Sequence, residues 1–397
     1  LEYFNPHSAQ WLLNKFEIYK IFRESEVAYW SEWHNLYVIS RYDDIEYALN
    51  NTEIFSSAKG NLLVERTKRF GKTLGASDDP IHSQLKNTVK QAYTKDNIDR
   101  VVTLFREKTE EYLKSSQTVD ISNASIHLSA WMIAEMLNYP FDKTVIKHLI
   151  VEIQKRAPSA VAFGSDTSNE SGYMKLFNED SATPLGLSPF LSSIAKCPAH
   201  GPGIYNEYVT NKDSSGLDFD PTSLLSGPTL SGASSLTGAL QFLTLDLYRE
   251  NQLDILLADP SLIPKAVEES LRFHASTGRF SRTVMEEITM HGVNLKPGDR
   301  VALCLESGNR DSTKFADPDV FDIERDTAGS LAFGRGPHAC IALAITKAVM
   351  NVYLEILLKN FGKYTVLTKN DDLQYIITDS GNGDMISNII VESGKQV

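Results

Sequence analysis

Three cysteines in 397 residues, Cys197, Cys304 and Cys340, are too few and too far apart for a disulfide framework or a short-spaced zinc site. No window approaches the ~20 apolar residues of a membrane span, so no transmembrane helix is expected. The N-terminus, Leu1-Glu2-Tyr3-Phe4, lacks the basic start and apolar core of a signal peptide, and a cytoplasmic location is expected. Cations are also short: 39 Lys and Arg against 51 Asp and Glu give a net charge of −12, which argues against nucleic acid as a partner. What remains is a chain with 42% hydrophobic residues and regular helix signals, enough to bury one large core rather than several small ones.

The most informative stretch is Phe333-Gly334-Arg335-Gly336-Pro337-His338-Ala339-Cys340, which runs into a periodic apolar segment beginning Ile341-Ala342-Leu343. That puts one cysteine at the mouth of a helix. Gly334 and Gly336 let the backbone turn tightly and pass close to a flat ligand. Free amides at the helix start are expected to favour the anionic sulfur. Taken alone, Cys340 reads as a small buried hydrophobe. A nucleophile needs an aligned histidine base, and His338 is badly placed two residues away. Zinc needs more ligands at short spacing. A single axial thiolate to a haem iron survives.

The octapeptide resembles the haem-binding loop of the cytochrome P450 family, Phe-Gly-x-Gly-x-His-x-Cys-x-Gly, and departs from it only at Ala342. Two other stretches fit the same resemblance. Asp259 to Phe273 reads as a helix start and helix, with Glu269 and Arg272 three apart on one face. Read alone they are an ordinary surface pair; beside the cysteine loop they resemble the family's Glu-x-x-Arg signature. Asp317 to Arg325 resembles the segment that supplies a second arginine. Glu269, Arg272 and Arg325 would then form a buried charged network around the core.

The resemblance implies heme b, with Cys340 as the axial iron ligand and Phe333 and Gly334 beside the ring. His82, Lys86, Arg282 and His338 would face its propionates, with Lys86 where the family usually has arginine. Phe55 to Asp78, carrying Lys59, Arg66, Lys68, Arg69 and Lys72, would line a substrate entrance, against the plainer reading of a solvated loop. From about residue 157 to 220 the chain is rich in Ser, Gly and Pro, and does not read clearly as the substrate-covering helices the family places there. Lys86, Lys90, Arg335 and Lys347 would border a docking face for an acidic iron–sulfur partner.

A long central helix is expected over Leu224 to Leu247. Alignment puts Gly232 on the family's helix glycine, Ser234 on its acid and Ser235 on its first threonine. The acid is missing, and no Asp or Glu lies between Asp220 and Asp246. Serine has no titratable proton near neutral pH, so proton delivery would run through water, a substrate group or another residue. Strands are expected over Val27 to Trp30 and Leu36 to Ser40, and a helix over Asp43 to Leu49. The fold expected is mainly α-helical with a small β-rich part, a single cytochrome P450-like domain over 1–397. The function implied is monooxygenation of a small organic molecule in secondary metabolism, with electrons from ferredoxin and ferredoxin reductase, and Ser234 and Ser235 as the catalytic pair. Two alternatives stay open: atypical chemistry (oxidative coupling, desaturation, peroxide use or rearrangement), and a non-catalytic haem-bearing binding module.

Overall fold

A computed structural model describes residues 3–65, 67–137, 231–377 and 382–395. The expected start of the central helix at Leu224, the segment 157–220 and Cys197 all lie outside the described residues. The N-terminal half contributes α1 (Ala9–Glu24), α2 (Tyr42–Asn50), α3 (Ile81–Lys90), α4 (Lys95–Tyr112) and α5 (Ile121–Leu137). The first starts where Ser8 accepts from the Trp11 amide, and the fourth where Thr94 accepts from Asn97. The second half adds α6 (Gly232–Arg249), α7 (Leu253–Ala258), α8 (Ile263–Phe273), α9 (Leu305–Gly308) and α10 (Leu343–Phe361).

The strands that matter to the site form one mixed sheet. It contains β1 (Tyr29–Ser31), β2 (Leu36–Ile39), β3 (Phe55–Ser56), and two strands from the second half, β5 (Arg279–Val284) and β8 (Arg300–Cys304); the order is β1-β2-β8-β5-β3. Between β3 and β5 in the chain lies β4 (Thr118–Asp120), which pairs with a C-terminal strand. A hairpin of β6 (Ile288–Met290) and β7 (Val293–Leu295) follows β5. Within this sheet, among the described residues, only β2 and β8 run parallel, with Tyr37 opposite Val301. Near the C-terminus come β9 (Thr365–Val366), β10 (Tyr375–Ile377), β11 (Asp384–Ile386) and β12 (Ile390–Glu392).

Apolar residues surround α6 on every side: Ala233, Leu236, Ala239, Leu240, Phe242, Leu243, Leu245 and Leu247 are all buried. A helix apolar all round belongs in the centre of a large core. One of its buried polar side chains ties it to two neighbours. Gln241 donates to Ser125 of α5 (3.0 Å) and accepts from the Ile386 amide of β11 (2.8 Å). Gly238 sets the closest approach. A Cβ there would lie 2.5 Å from the Asp384 carbonyl oxygen, so α6 touches β11 at a distance only glycine permits.

Glu269 of α8 holds Arg272 through two 2.7 Å contacts and Arg325 through one of 3.2 Å, as the sequence led us to expect. The cluster also reaches the cysteine loop. Arg272 donates to the Asn309 carbonyl (2.8 Å), and the Asn309 side chain accepts from the Leu331 amide (2.6 Å), two residues before Phe333. Breaking such a buried group costs ~3–5 kcal/mol because a charge is left without its partner.

Candidate functional site

The loop before α10 is shaped by its glycines. Gly334 and Gly336 have φ of +67° and +66°, and a Cβ on Gly336 would meet the Leu49 carbonyl oxygen at 2.5 Å. The Cys340 amide donates to the Phe333 carbonyl (2.9 Å), which closes the loop. Ala342 sits at φ −87°, where alanine is unstrained, so the departure from glycine there needs no backbone rearrangement. The helix begins at Leu343, three residues after Cys340, later than expected. The open side of Cys340 faces a cavity. Burial among protein atoms pushes its thiol up from the usual value, while the Ala342 amide and Lys86 pull the other way. The Ala342 amide thus acts in the direction expected of donors after the cysteine, and a facing metal cation would add to its pull on the ionised sulfur.

On the same cavity stand His82 and Lys86 from α3, Arg282 from β5, and His338, Phe333 and Gly334 from the loop. The His82 and His338 rings are 4.0 Å apart. Burial, with Arg282 and His82 nearby, pushes His338 down to about 3, and burial lowers His82 as well. Among the described residues, the buried Arg282 bonds only the neighbouring Ser281 carbonyl (2.8 Å), and its Nε has no partner. Burial pulls it down to about 10 against the pull of Asp78. Lys86 donates to the Pro337 carbonyl (2.6 Å). Beside this basic cluster the one carboxylate in salt-bridge range among the described residues is Asp79, 3.9 Å from His82 and exposed. Orphaned donors and too few anions fit a ligand that brings carboxylates, and a soft sulfur on the same wall fits a metal. A haem supplies both.

α6 forms another part of the wall, where Gly232, Ser234 and Ser235 line the cavity with Leu236 and Ala239, and Ser231 joins them from just before the helix. Ser234 is buried. The Ser235 hydroxyl meets that of Thr277 at 2.5 Å. Met132, Ile133 and Met136 of α5, Leu271 and Phe280 make the rest largely apolar. Asn61 and Thr73, within the 55–78 stretch expected at an entrance, line the cavity, whereas three further parts of the lining carried no signal in the sequence: Tyr93, Thr277 and the 382–385 segment. Asp384, the one carboxylate on the wall among the described residues, is held by Lys15 (2.7 Å) and Arg279 (2.8 Å). Glu306 shares both cations, at 2.7 and 2.5 Å, and accepts from Tyr19 (2.8 Å). Burial alone would raise the acids, but Arg279 and Lys15 outweigh it and hold Asp384 far below the carboxylate range.

Two expectations need correction. Of the entrance cations, Arg69 lines the cavity but is tied to Glu65 (2.7 Å), whereas Lys59 and Lys72 are exposed to solvent away from it. Arg66 and the Lys68 side chain lie outside the described residues. On the expected docking face, Lys86 turns to Pro337, Lys347 pairs with Glu268 (2.7 Å) and Arg335 approaches Glu46 (3.8 Å), leaving Lys90 exposed. Cys304 is fully buried, its thiol pushed up to about 12 by that burial, which suits a packing role.

Comparison with known proteins agrees with this geometry. Residues 257–374, which hold the Glu269–Arg272 pair, Arg325 and the Cys340 loop, match the Cytochrome P450 family model. The chain is 26% identical over 368 residues to Cytochrome P450 109 of Bacillus spizizenii, covering 89% of this chain and 85% of that one. It is 28% identical over 338 residues to Nocardicin C N-oxygenase of Nocardia uniformis, with 82% of each covered. The fold superposes on CYP109E1 from Bacillus megaterium, solved with testosterone, at a TM-score of 0.84 and 22% identity, covering 96% and 98% of the two chains. Residues 257–374 thus match the cytochrome P450 family, and the chain as a whole is similar in sequence and fold to cytochromes P450.

Proposed function

We propose that this protein is a haem-thiolate monooxygenase that oxidises a small organic molecule of secondary metabolism, drawing electrons from a ferredoxin and its reductase. One observation carries the reading: the Cys340 thiol, the under-neutralised group His82, Lys86, Arg282 and His338, and the serines of α6 all line one cavity. The haem, when bound, supplies activation of dioxygen at an iron made electron-rich by its thiolate. In this reading Cys340 would hold the iron through its sulfur, with the Ala342 amide donating to that sulfur. The four basic side chains hold the propionates, and Phe333 and Gly334 border the ring. Ser234 and Ser235 hold water and pass protons on the far side, and the apolar wall keeps bulk water out and orients the substrate.

The nocardicin-acting relative supports secondary metabolism as the setting. One core joining residues from Leu85 to Val391 supports a single domain over 1–397. No helix among the described residues is long and apolar enough to cross a membrane. A cytoplasmic location is part of the same proposal.

A specific observation favours a second reading. The one carboxylate on the cavity wall among the described residues, Asp384, is locked between two cations and cannot shuttle protons. Oxidative coupling, desaturation, peroxide use or rearrangement would place less demand on a helix acid. Turnover under labelled dioxygen separates the readings, with substrates first found by a spectral binding screen. One labelled oxygen in the product supports monooxygenation; an oxidised product without label moves the assignment to the second reading, and no turnover of any binding compound points to a binding module.

A further inference from the structure

Hydroxyls inside α6 usually turn back on their own helix. Thr237 donates to the Ala233 carbonyl and Thr244 to that of Leu240, each at 2.9 Å. Such back-bonding is the ordinary fate of a helical alcohol. Ser235 departs from it: its hydroxyl crosses to Thr277, 42 residues away on the segment between α8 and β5, at 2.5 Å. Both residues line the cavity.

Thr277 is held by backbone, not by chance side-chain packing. It forms a bridge with Gly383, and the next amide, of Gly278, donates to the Asn382 carbonyl (2.9 Å). The Gly278 carbonyl in turn accepts from the Glu306 amide (3.2 Å). Two hydroxyls carry two protons, and their mutual bond uses one. Among the described residues neither hydroxyl has another hydrogen-bond partner, so one O–H is left for the contents of the cavity.

We propose that Thr277 is a positioning residue for oxygen chemistry: with Ser235 it forms a single two-hydroxyl donor, fixed across the cavity wall, that presents one proton where the family's acid is missing. The pair takes the orienting part of that acid's work, and solvent resupplies the proton. This rests on the haem-thiolate reading of the cavity. Losing either hydroxyl frees the other to turn back onto its own backbone, so the two residues act as one unit and their removal is not additive.

The test uses the haem-loaded protein and carbon monoxide as the probe. A donor aimed at the oxygen of bound carbon monoxide lowers its C–O stretching frequency. Infrared spectra of the reduced complex are compared for the parent, Ser235→Ala, Thr277→Val, Thr277→Ala, Thr277→Ser and Ser235→Ala/Thr277→Val. The proposal requires the same upward shift in both valine and alanine variants at 277, in Ser235→Ala and in the double variant, with Thr277→Ser keeping the parental band. Coupling of reductant to product should fall by about fivefold in each single loss, the worth of one net hydrogen bond, and no further in the double variant. A parental band in both Thr277→Val and Thr277→Ala overturns the proposal, as do additive shifts. A thiolate-type Soret band in these samples shows that the cofactor reading stands whichever way the infrared result falls; its absence from the parent overturns both.

Discussion

Replacing Lys15 with Met keeps the aliphatic stem and removes one ammonium from a buried cluster of two cations and two carboxylates. Lys15 meets Glu306 and Asp384 at 2.7 Å each, and the four charged side chains are all buried. After the change, two carboxylates share only Arg279, and the uncompensated charge should cost ~3–5 kcal/mol. Unfolding entropy near ~2 cal/mol/K per residue gives about 0.8 kcal/mol/K for a chain this long, so the midpoint should fall by roughly 4–6 °C. The pH dependence sharpens the test. In the parent both acids are depressed on folding, so their contribution is complete above the unfolded carboxylate range, near ~4, and fades as pH falls through the folded values. In the variant one acid is raised and takes up a proton. Its deficit should therefore be largest near neutrality and shrink as pH drops toward and below ~4. Thermal unfolding of parent and Lys15→Met across that range reads both effects. Equal midpoints at neutral pH, or a deficit that widens in acid, would refute the reasoning.

Gly238→Ala should destabilise the protein by ~1–3 kcal/mol, read by denaturant unfolding, because the new methyl must push α6 off the Asp384 carbonyl, a backbone atom that cannot swing aside. Arg282→Ala and Lys86→Ala should speed haem loss to a scavenger protein, whereas Lys86→Arg should match or slow the parental rate, since a guanidinium fork grips a carboxylate better than an ammonium. His34 is buried and lowered to about 3, first by burial and then by His7. The unfolded chain takes up its proton below ~6.5, so His34 should cost about 1.4 kcal/mol per pH unit as pH falls from there toward the folded value, a slope His34→Gln should lose in acid unfolding curves.

The sequence made the thiolate loop and the Glu269–Arg272 pair legible because their signals are local, whereas Arg325, 56 residues from Glu269, was reached only through the family resemblance. Three or eight residues of fixed spacing decide which side chains share a turn or a helix face. The basic cluster was half legible: each of His82, Lys86, Arg282 and His338 could have been a solvated charge, and only the fold brings them to one wall. Lys15 lies 291 residues from Glu306 and 369 from Asp384, so no spacing could announce their contact. Thr277 was passed over for the same reason; an isolated threonine in a loop has no period. For the Cys340 thiol, counting amides gave the sign of one influence, that of the Ala342 amide, while burial, which depends on everything packed around the loop, could not be read from the sequence. The docking cations were misjudged because charge composition does not show which lysines are already paired, as Lys347 is with Glu268.

The most direct measurement is the absorption spectrum of the reduced carbon monoxide complex of the purified protein and of Cys340→Ala. Cys340 is the one cysteine on the cavity wall among the described residues, and Cys304 is fully buried. The parent should show one haem per chain and the thiolate-type Soret band, and the variant should lose that band even where it retains haem. A thiolate-type band that persists in Cys340→Ala, or is absent from the haem-loaded parent, would contradict the assignment of Cys340 as the iron ligand.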